Sequence, residues 1–182
     1  MLDRVNARLV AGIGAAGAGD PASAARLLAA SHQDTRAVGN HVVIGMTGVP
    51  LARVLIELGR DSEAAELVEE LARVVSQRGD HVQVPSLRAL LAARAGRFDQ
   101  ALRLSSAAES EATPDLVADL AYVRLDRAEI LLAAGRPDEA LALAGDALAM
   151  FERKEFAAGV RRARAVLAGL GASGEAGGPT AS

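Results

Sequence analysis

Gly12, Gly14 and Gly17 stand in the stretch "AGIGAAGAGDP" at the G-x-G-x-x-G spacing with which backbone amides cradle a dinucleotide pyrophosphate, and Asp34 follows at about the distance of an acidic ribose ligand. That chemistry needs a strand before the glycines and a helix after them. Upstream, however, Leu2, Val5, Leu9 and Ile13 recur at helical spacing, and Asp34 falls in the polar stretch "SHQDTR", read here as a loop. The glycines are therefore assigned to a helix, and no cofactor is expected. His32, His41 and His81 lack the i, i+4 spacing and accompanying carboxylates of a metal site. Glu63, Glu66, Glu69 and Glu70, with Arg73 one turn beyond Glu69, read as the solvated face of one helix. Lys154, the only lysine, lies in "FERKEF" and not behind a glycine-rich loop, so there is no nucleotide-binding P-loop. With no cysteine, thiolate catalysis, disulfides and thiolate zinc sites are excluded. No catalytic, cofactor or metal site is expected, and the chain is read as a non-enzyme.

The elements that hold these residues follow from composition. Of 182 residues 51% are apolar, yet Phe98, Tyr122, Phe151 and Phe156 are the only aromatic ones. Alanine and leucine supply the bulk, which favours closely packed helices over a sheet. The predicted class is all-α. A net charge of −3 with both signs interspersed offers no basic stripe for nucleic acid. No apolar run approaches the roughly 20 residues of a spanning helix and no charged-then-apolar leader opens the chain, so a cytoplasmic protein without membrane contact is expected. Arginine in place of lysine, with excess alanine and glycine, suggests a GC-rich bacterial source.

One phrase recurs: "GDPASA" from Gly19, "GRDSEA" from Gly59, "GRFDQA" from Gly96 and "GRPDEA" from Gly135, a period of about 39 residues. Each glycine follows an alanine-rich helical pattern, where a left-handed residue ends a helix. Asp20 or Asp61 can cap the next helix, and Pro21 and Pro137 suit its first position. The phrase thus marks a tight turn between antiparallel helices. Its last alanine (Ala24, Ala64, Ala101, Ala140) and a small residue seven before the glycine (Gly12, Ala52, Ala89, Ala128) provide the close approach of each pair.

Four hairpins are predicted within one repeat domain, residues 1–170, spanning about 2–31, 40–78, 81–110 and 114–151. First helices run about 2–18, 40–58, 81–95 and 114–134, and second helices 21–31, 61–78, 98–110 and 137–151. A ninth helix over 156–170 is expected to cap the array, with Arg161, Arg162 and Arg164 mostly off its apolar face. The stretch 171–182 is expected to be disordered. Pro50 predicts a kink or a late helix start, and Pro85 suits an early turn. Three glycines in the first helix cost about 1 kcal/mol each relative to alanine, so that helix is expected to fray unless something packs on it.

The run "ARVLIELGRDSEAAELVEEL" and the segment "DLAYVRLDRAEILLAAGRPDEA" with "ALAMFERK" resemble the carboxy-terminal helical-repeat region of large bacterial signalling proteins. Those chains join a class III adenylate or guanylate cyclase domain, or a DNA-binding regulator domain, to an AAA/STAND-type ATPase and end in tetratricopeptide-like (TPR-like) repeats. The resemblance covers roughly residues 51–170 and brings no catalytic motif. It implies a right-handed α-solenoid of about four TPR-like hairpins plus a carboxy-terminal capping helix. It also implies a concave groove lined by first helices, at positions that map through the turn glycine onto Asn6, Met46, Arg53, Glu57, Gln83, Ser86, Arg94, Tyr122 and Glu129. The function expected is a non-catalytic interaction module for a protein or peptide partner, or for a second copy of the chain. The alternative is a sensory domain holding a small apolar effector between hairpins to regulate an ATPase or cyclase.

Overall fold

The computed structural model describes residues 2–38, 40–75, 82–112 and 115–175. Gly19, Gly59, Gly96 and Gly135 all adopt the left-handed conformation, with φ between 72° and 82°. At each, the glycine N–H and the next N–H bond back to carbonyls of the preceding helix, as in Asp20 N to Ala15 O and Arg136 N to Leu131 O, both 2.9 Å. This double closure satisfies helix carbonyls and reverses the chain. Nine helices result among the described residues, with no strand: α1 (Leu2–Gly17), α2 (Pro21–Val38), α3 (His41–Glu57), α4 (Asp61–Val75), α5 (Gln83–Arg94), α6 (Phe98–Glu111), α7 (Val117–Ala133), α8 (Pro137–Arg153) and α9 (Ala157–Glu175). A fifth closure ends α8 without glycine: Glu155, at φ 53°, takes the left-handed position, and Phe156 N bonds to Phe151 O.

The odd-numbered helices form an inner layer, each touching the next, and α2, α4, α6 and α8 back them. The seven alanines expected at the close approaches are all fully buried. A Cβ on Gly12, the eighth site, would lie 2.7 Å from Leu28 Cγ. Gly17 packs on Ala157 and Ala158 of α9, so the glycine-rich helix has its partner within the chain. Gly14 faces open space. Gly14→Ala is therefore expected to raise stability by up to about 1 kcal/mol through helix propensity alone, read as a higher chemical-denaturation midpoint, whereas Gly12→Ala lowers it.

Several boundaries differ from the sequence expectations. The stretch "SHQDTR" is helical: α2 continues to Val38 because its polar residues find partners. Ser31 Oγ donates to Val5 O at 2.9 Å, Asp34 pairs with Arg8 at 2.6 Å and with Arg4, and Thr35 and His32 meet Thr47 Oγ1 at 3.0 and 3.1 Å. Pro50 lies inside an α3 that starts at a normal cap, the Asn40 side chain accepting from the N–H groups of Val42 and Val43. Asp20 caps α2 by accepting from Ser23 N, but Asp61 instead pairs with Arg94 at 2.8 Å. Helix α9 extends through Glu175, taking Gly171–Glu175 out of the stretch expected to be disordered, with Leu170 buried just before it. Residues 176–182, Thr113, Pro114 and His81 lie outside the described residues, as does the side chain of His41. The acidic cluster is a surface of ion pairs, Glu63 with Arg60, Glu69 with Arg88 and Glu70 with Arg36.

His32 is buried, and burial is the main force lowering its pKa, with Arg36 adding to it and Glu70 opposing. A histidine kept neutral by the fold stabilises it fully above the unfolded-state value of about 6.5 and loses that contribution as pH falls further. The unfolding free energy should decline between pH 7 and 5, with a shallower decline in His32→Gln.

Candidate functional site

The inner face is organised by one buried carboxylate. Asp126 of α7 is wholly inaccessible, yet it receives charge from two sides. Arg53 of α3 donates Nη1 to Oδ1 at 2.7 Å and Nη2 to Oδ2 at 3.0 Å, a two-pronged pairing suited to the planar guanidinium. From α9, Arg162 Nη1 lies 2.8 Å from the same Oδ1, and its Nη2 lies 2.7 Å from Glu129 Oε1. Ser86 of α5 donates to Oδ2 at 2.6 Å. Arg53 also donates to Gln83 Oε1 at 2.8 and 3.0 Å, and its guanidinium carbon sits 4.1 Å from the centroid of the Tyr122 ring. Gln83 passes the chain on, donating its amide N–H to Asp119. Four inner helices thus meet at one carboxylate.

The electrostatics follow from that crowding. Burial opposes ionisation of Asp126, but Arg53 and Arg162 outweigh it and hold its pKa below the usual carboxylate range. For Arg162 burial likewise works against the charge, and Glu129 and Asp126 overcome it, raising its pKa. Burial raises the pKa of Tyr122 against the pull of Arg53, and raises that of Glu129 against Arg162.

Helix α9 does not merely cover the end of the array. It crosses the concave side and returns to α1, where Arg161 donates Nε to Ala16 O at 2.8 Å and pairs with Glu57 at 2.7 Å. Two of its arginines expected off the packing face therefore point inward, because the concave carboxylates lie there. Between α1, α3, α7 and α9 a cavity of about 540 Å³ remains. Ile13, Val49, Tyr122 and Phe156 are among the side chains that give it largely apolar walls. Val42, Met46 and Leu116, three of the large apolar side chains exposed to solvent, stand on its lining. A smaller cavity of about 300 Å³ adjoins it along α9.

The residues mapped to the groove from the sequence mostly converge here. Met46, Arg53, Glu57, Gln83 and Tyr122 line the larger cavity, while Arg94 and Glu129 line the smaller one together with Arg53 and Glu57. Ser86 is buried beneath, on Asp126. Asn6 is exposed and lines neither cavity. Asp126, Asp119 and Arg162 were missed. Asp126 did carry a partial signal: nine residues before each turn glycine the other hairpins have the uncharged Val10, Pro50 and Leu87, and of these Leu87, in the adjoining hairpin, is buried, a setting in which an aspartate needs a cation. Among the described residues no group of three or more histidine, aspartate or glutamate side chains is arranged to hold a metal ion. No helix among them is long and apolar enough to cross a membrane.

The tetratricopeptide repeat family profile matches residues 86–105 and 121–146, within the third and fourth hairpins. Among solved structures, the chain is similar to the nearly identical TPR-like repeats of a kinesin light chain from Podospora anserina. Identity is 16%, TM-score 0.57, and the match covers 91% of this chain and 95% of that one. A single-substitution variant of the same repeats aligns at 17% identity and TM-score 0.57, covering 93% of each chain. MamA of AMB-1 aligns at 19% identity and TM-score 0.47 over 92% of this chain and 98% of that one. No curated protein matches the chain. The fold is an all-helical, TPR-like repeat array.

Proposed function

We propose that this TPR-like array is a non-catalytic interaction module whose concave face takes a segment of a protein partner, anchored in the cavity between α1, α3, α7 and α9. TPR-like repeats generally mediate protein–protein interaction. The observation that carries the reading is the cavity itself: about 540 Å³ of largely apolar space, with Val42, Met46 and Leu116 exposed on its lining. Large apolar side chains gathered at one concave place mark an interaction site more often than scattered ones do. The resemblance to the repeat regions of cyclase-linked and regulator-linked bacterial ATPases supports a place in cytoplasmic signalling, with the partner in the same assembly.

Paired substitutions test it. Met46→Lys should abolish capture of the partner, while Leu141→Lys, at an exposed leucine on the outer helix α8, should leave capture unchanged. Equal capture by both variants overturns the groove reading. The cavity volume also lies within the roughly 300–1,000 Å³ of small-molecule sites, which favours the apolar-effector function as a second reading. A thermal-shift screen of apolar metabolites at millimolar concentration decides it, since a bound ligand must raise the midpoint and Met46→Lys must cancel the rise.

A further inference from the structure

We infer that the cavity receives a lysine or arginine side chain, carried by the partner segment beside a large apolar residue, with the cation set against Asp119. This rests on the concave face being the partner surface and adds the chemistry of what enters it.

Charge matching carries the inference. The charged side chains lining the cavity are Arg53, Glu57, Asp119, Arg161 and Arg162. The arginines are already answered: Arg53 by Asp126, Arg161 by Glu57, and Arg162 by Asp126 and Glu129. Three cations therefore face three carboxylates, and Asp119 is left over. No basic side chain among the described residues reaches it within ion-pair distance; it accepts the Gln83 amide N–H, while Gln83 Oε1 is held by Arg53. Its place in the first turn of α7 suits a negative charge. A carboxylate on an apolar cavity is complementary to a cation on an apolar stem, because lysine and arginine lay their methylenes along apolar surface while the head group finds an anion. The exposed Val42, Met46 and Leu116 would be covered by a neighbouring apolar residue of the same segment. An acidic segment meets repulsion from Asp119. The molecule holds a precedent in cis: α9 brings Arg161 and Arg162, next to Val160, onto carboxylates of this same face.

The full chain, fluorescently labelled, is applied to a positional-scanning octapeptide array. Peptides with arginine or lysine within three residues of leucine, methionine or phenylalanine should be enriched about five-fold over their glutamate counterparts, the size of a partly shielded ion pair. Asp119→Asn, which keeps the acceptor for Gln83, should reduce that preference to about two-fold or less while the apolar preference persists. In the unsubstituted chain the preference should shrink between 50 and 500 mM salt, which preserves the test should the variant fold poorly. Met46→Lys, which puts a cation where the apolar wall stood, should remove both preferences. Enrichment of apolar peptides that depends on Met46 but ignores charge overturns the cation assignment and leaves the groove reading standing. Absence of any Met46-dependent peptide overturns both. Thermal stabilisation by 4-phenylbutylamine that requires Asp119, without peptide enrichment, assigns the cavity to a free amine and overturns a partner-borne side chain.

Discussion

Asp126→Ala should lower the unfolding free energy by about 3–5 kcal/mol, the cost of stranding buried charge when one partner of an internal ion pair is removed. The site is unusually exposed to that cost because two guanidinium groups depend on the one carboxylate. Arg53 would keep only Gln83 and the Tyr122 ring, and Arg162 only Glu129. Asp126→Asn, which retains an acceptor and loses the charge, should fall between. A urea titration monitored by circular dichroism reads both. The sign of the pH dependence follows from the lowered pKa of Asp126. The contribution is fully present above the unfolded-state value of about 3.9 and disappears as pH falls through the folded-state value. The wild type should therefore lose more stability on acidification below pH 4 than Asp126→Ala, which has nothing there to lose.

The second large effect lies at Gly159, where α9 passes over the end of α8. A Cβ built there would collide with Phe151 Cδ1 and fall 2.5 Å from Cγ and Cε1, far inside contact distance. The ring has little freedom to move, since Phe151 is fully buried, its centroid 4.8 Å from that of Tyr122 and 6.2 Å from that of Phe156. Gly159→Val should destabilise by about 1–3 kcal/mol or more through overpacking, exceeding the propensity gain of up to about 1 kcal/mol for leaving glycine in a helix. The loss should be local as well as global. With α9 lifted, Arg161 and Arg162 leave their carboxylates, and trypsin should cut after them in Gly159→Val at a temperature where the parent chain resists. Gly14→Ala, the same kind of change where a Cβ meets nothing, provides the contrast.

How far the sequence reached depended on whether a feature was local. The turns were legible because left-handed glycine, a helix-starting residue and an alanine recur as one phrase, and the chemistry of each acts within six residues. The four hairpins and their alanine seams follow from it. The groove positions were reached through the period, since a residue's offset from the turn glycine sets its layer; this placed Arg53, Tyr122 and Gln83 on the inner face but also named Asn6, which lines neither cavity. Offsets say nothing of partners. Local pattern makes Arg162 a solvated charge on an amphipathic helix, whereas its partners Asp126 and Glu129 lie more than thirty residues away in the chain. The end of α2 was misplaced for a related reason: "SHQDTR" is polar, but Ser31, His32 and Thr35 are polar groups paired inside, and that pairing is tertiary.

The return of α9 to α1 changes how such an array comes apart. A linear stack of repeats has two loose ends, and its stability sums over nearest neighbours, so that melting can begin at either end and proceed unit by unit. Here Arg161 ties the last helix to Ala16 and Glu57, and Gly17 lies against Ala157 and Ala158, so the terminal helices are also neighbours. The stack has become a clasped loop. Losing a terminal repeat then means opening the clasp as well, and the glycine-weakened α1, packed chiefly on α2, draws further protection from α9. Unfolding should gather into one cooperative step, and a cut in the α8–α9 connection should weaken the hold on α1 as well as on α9.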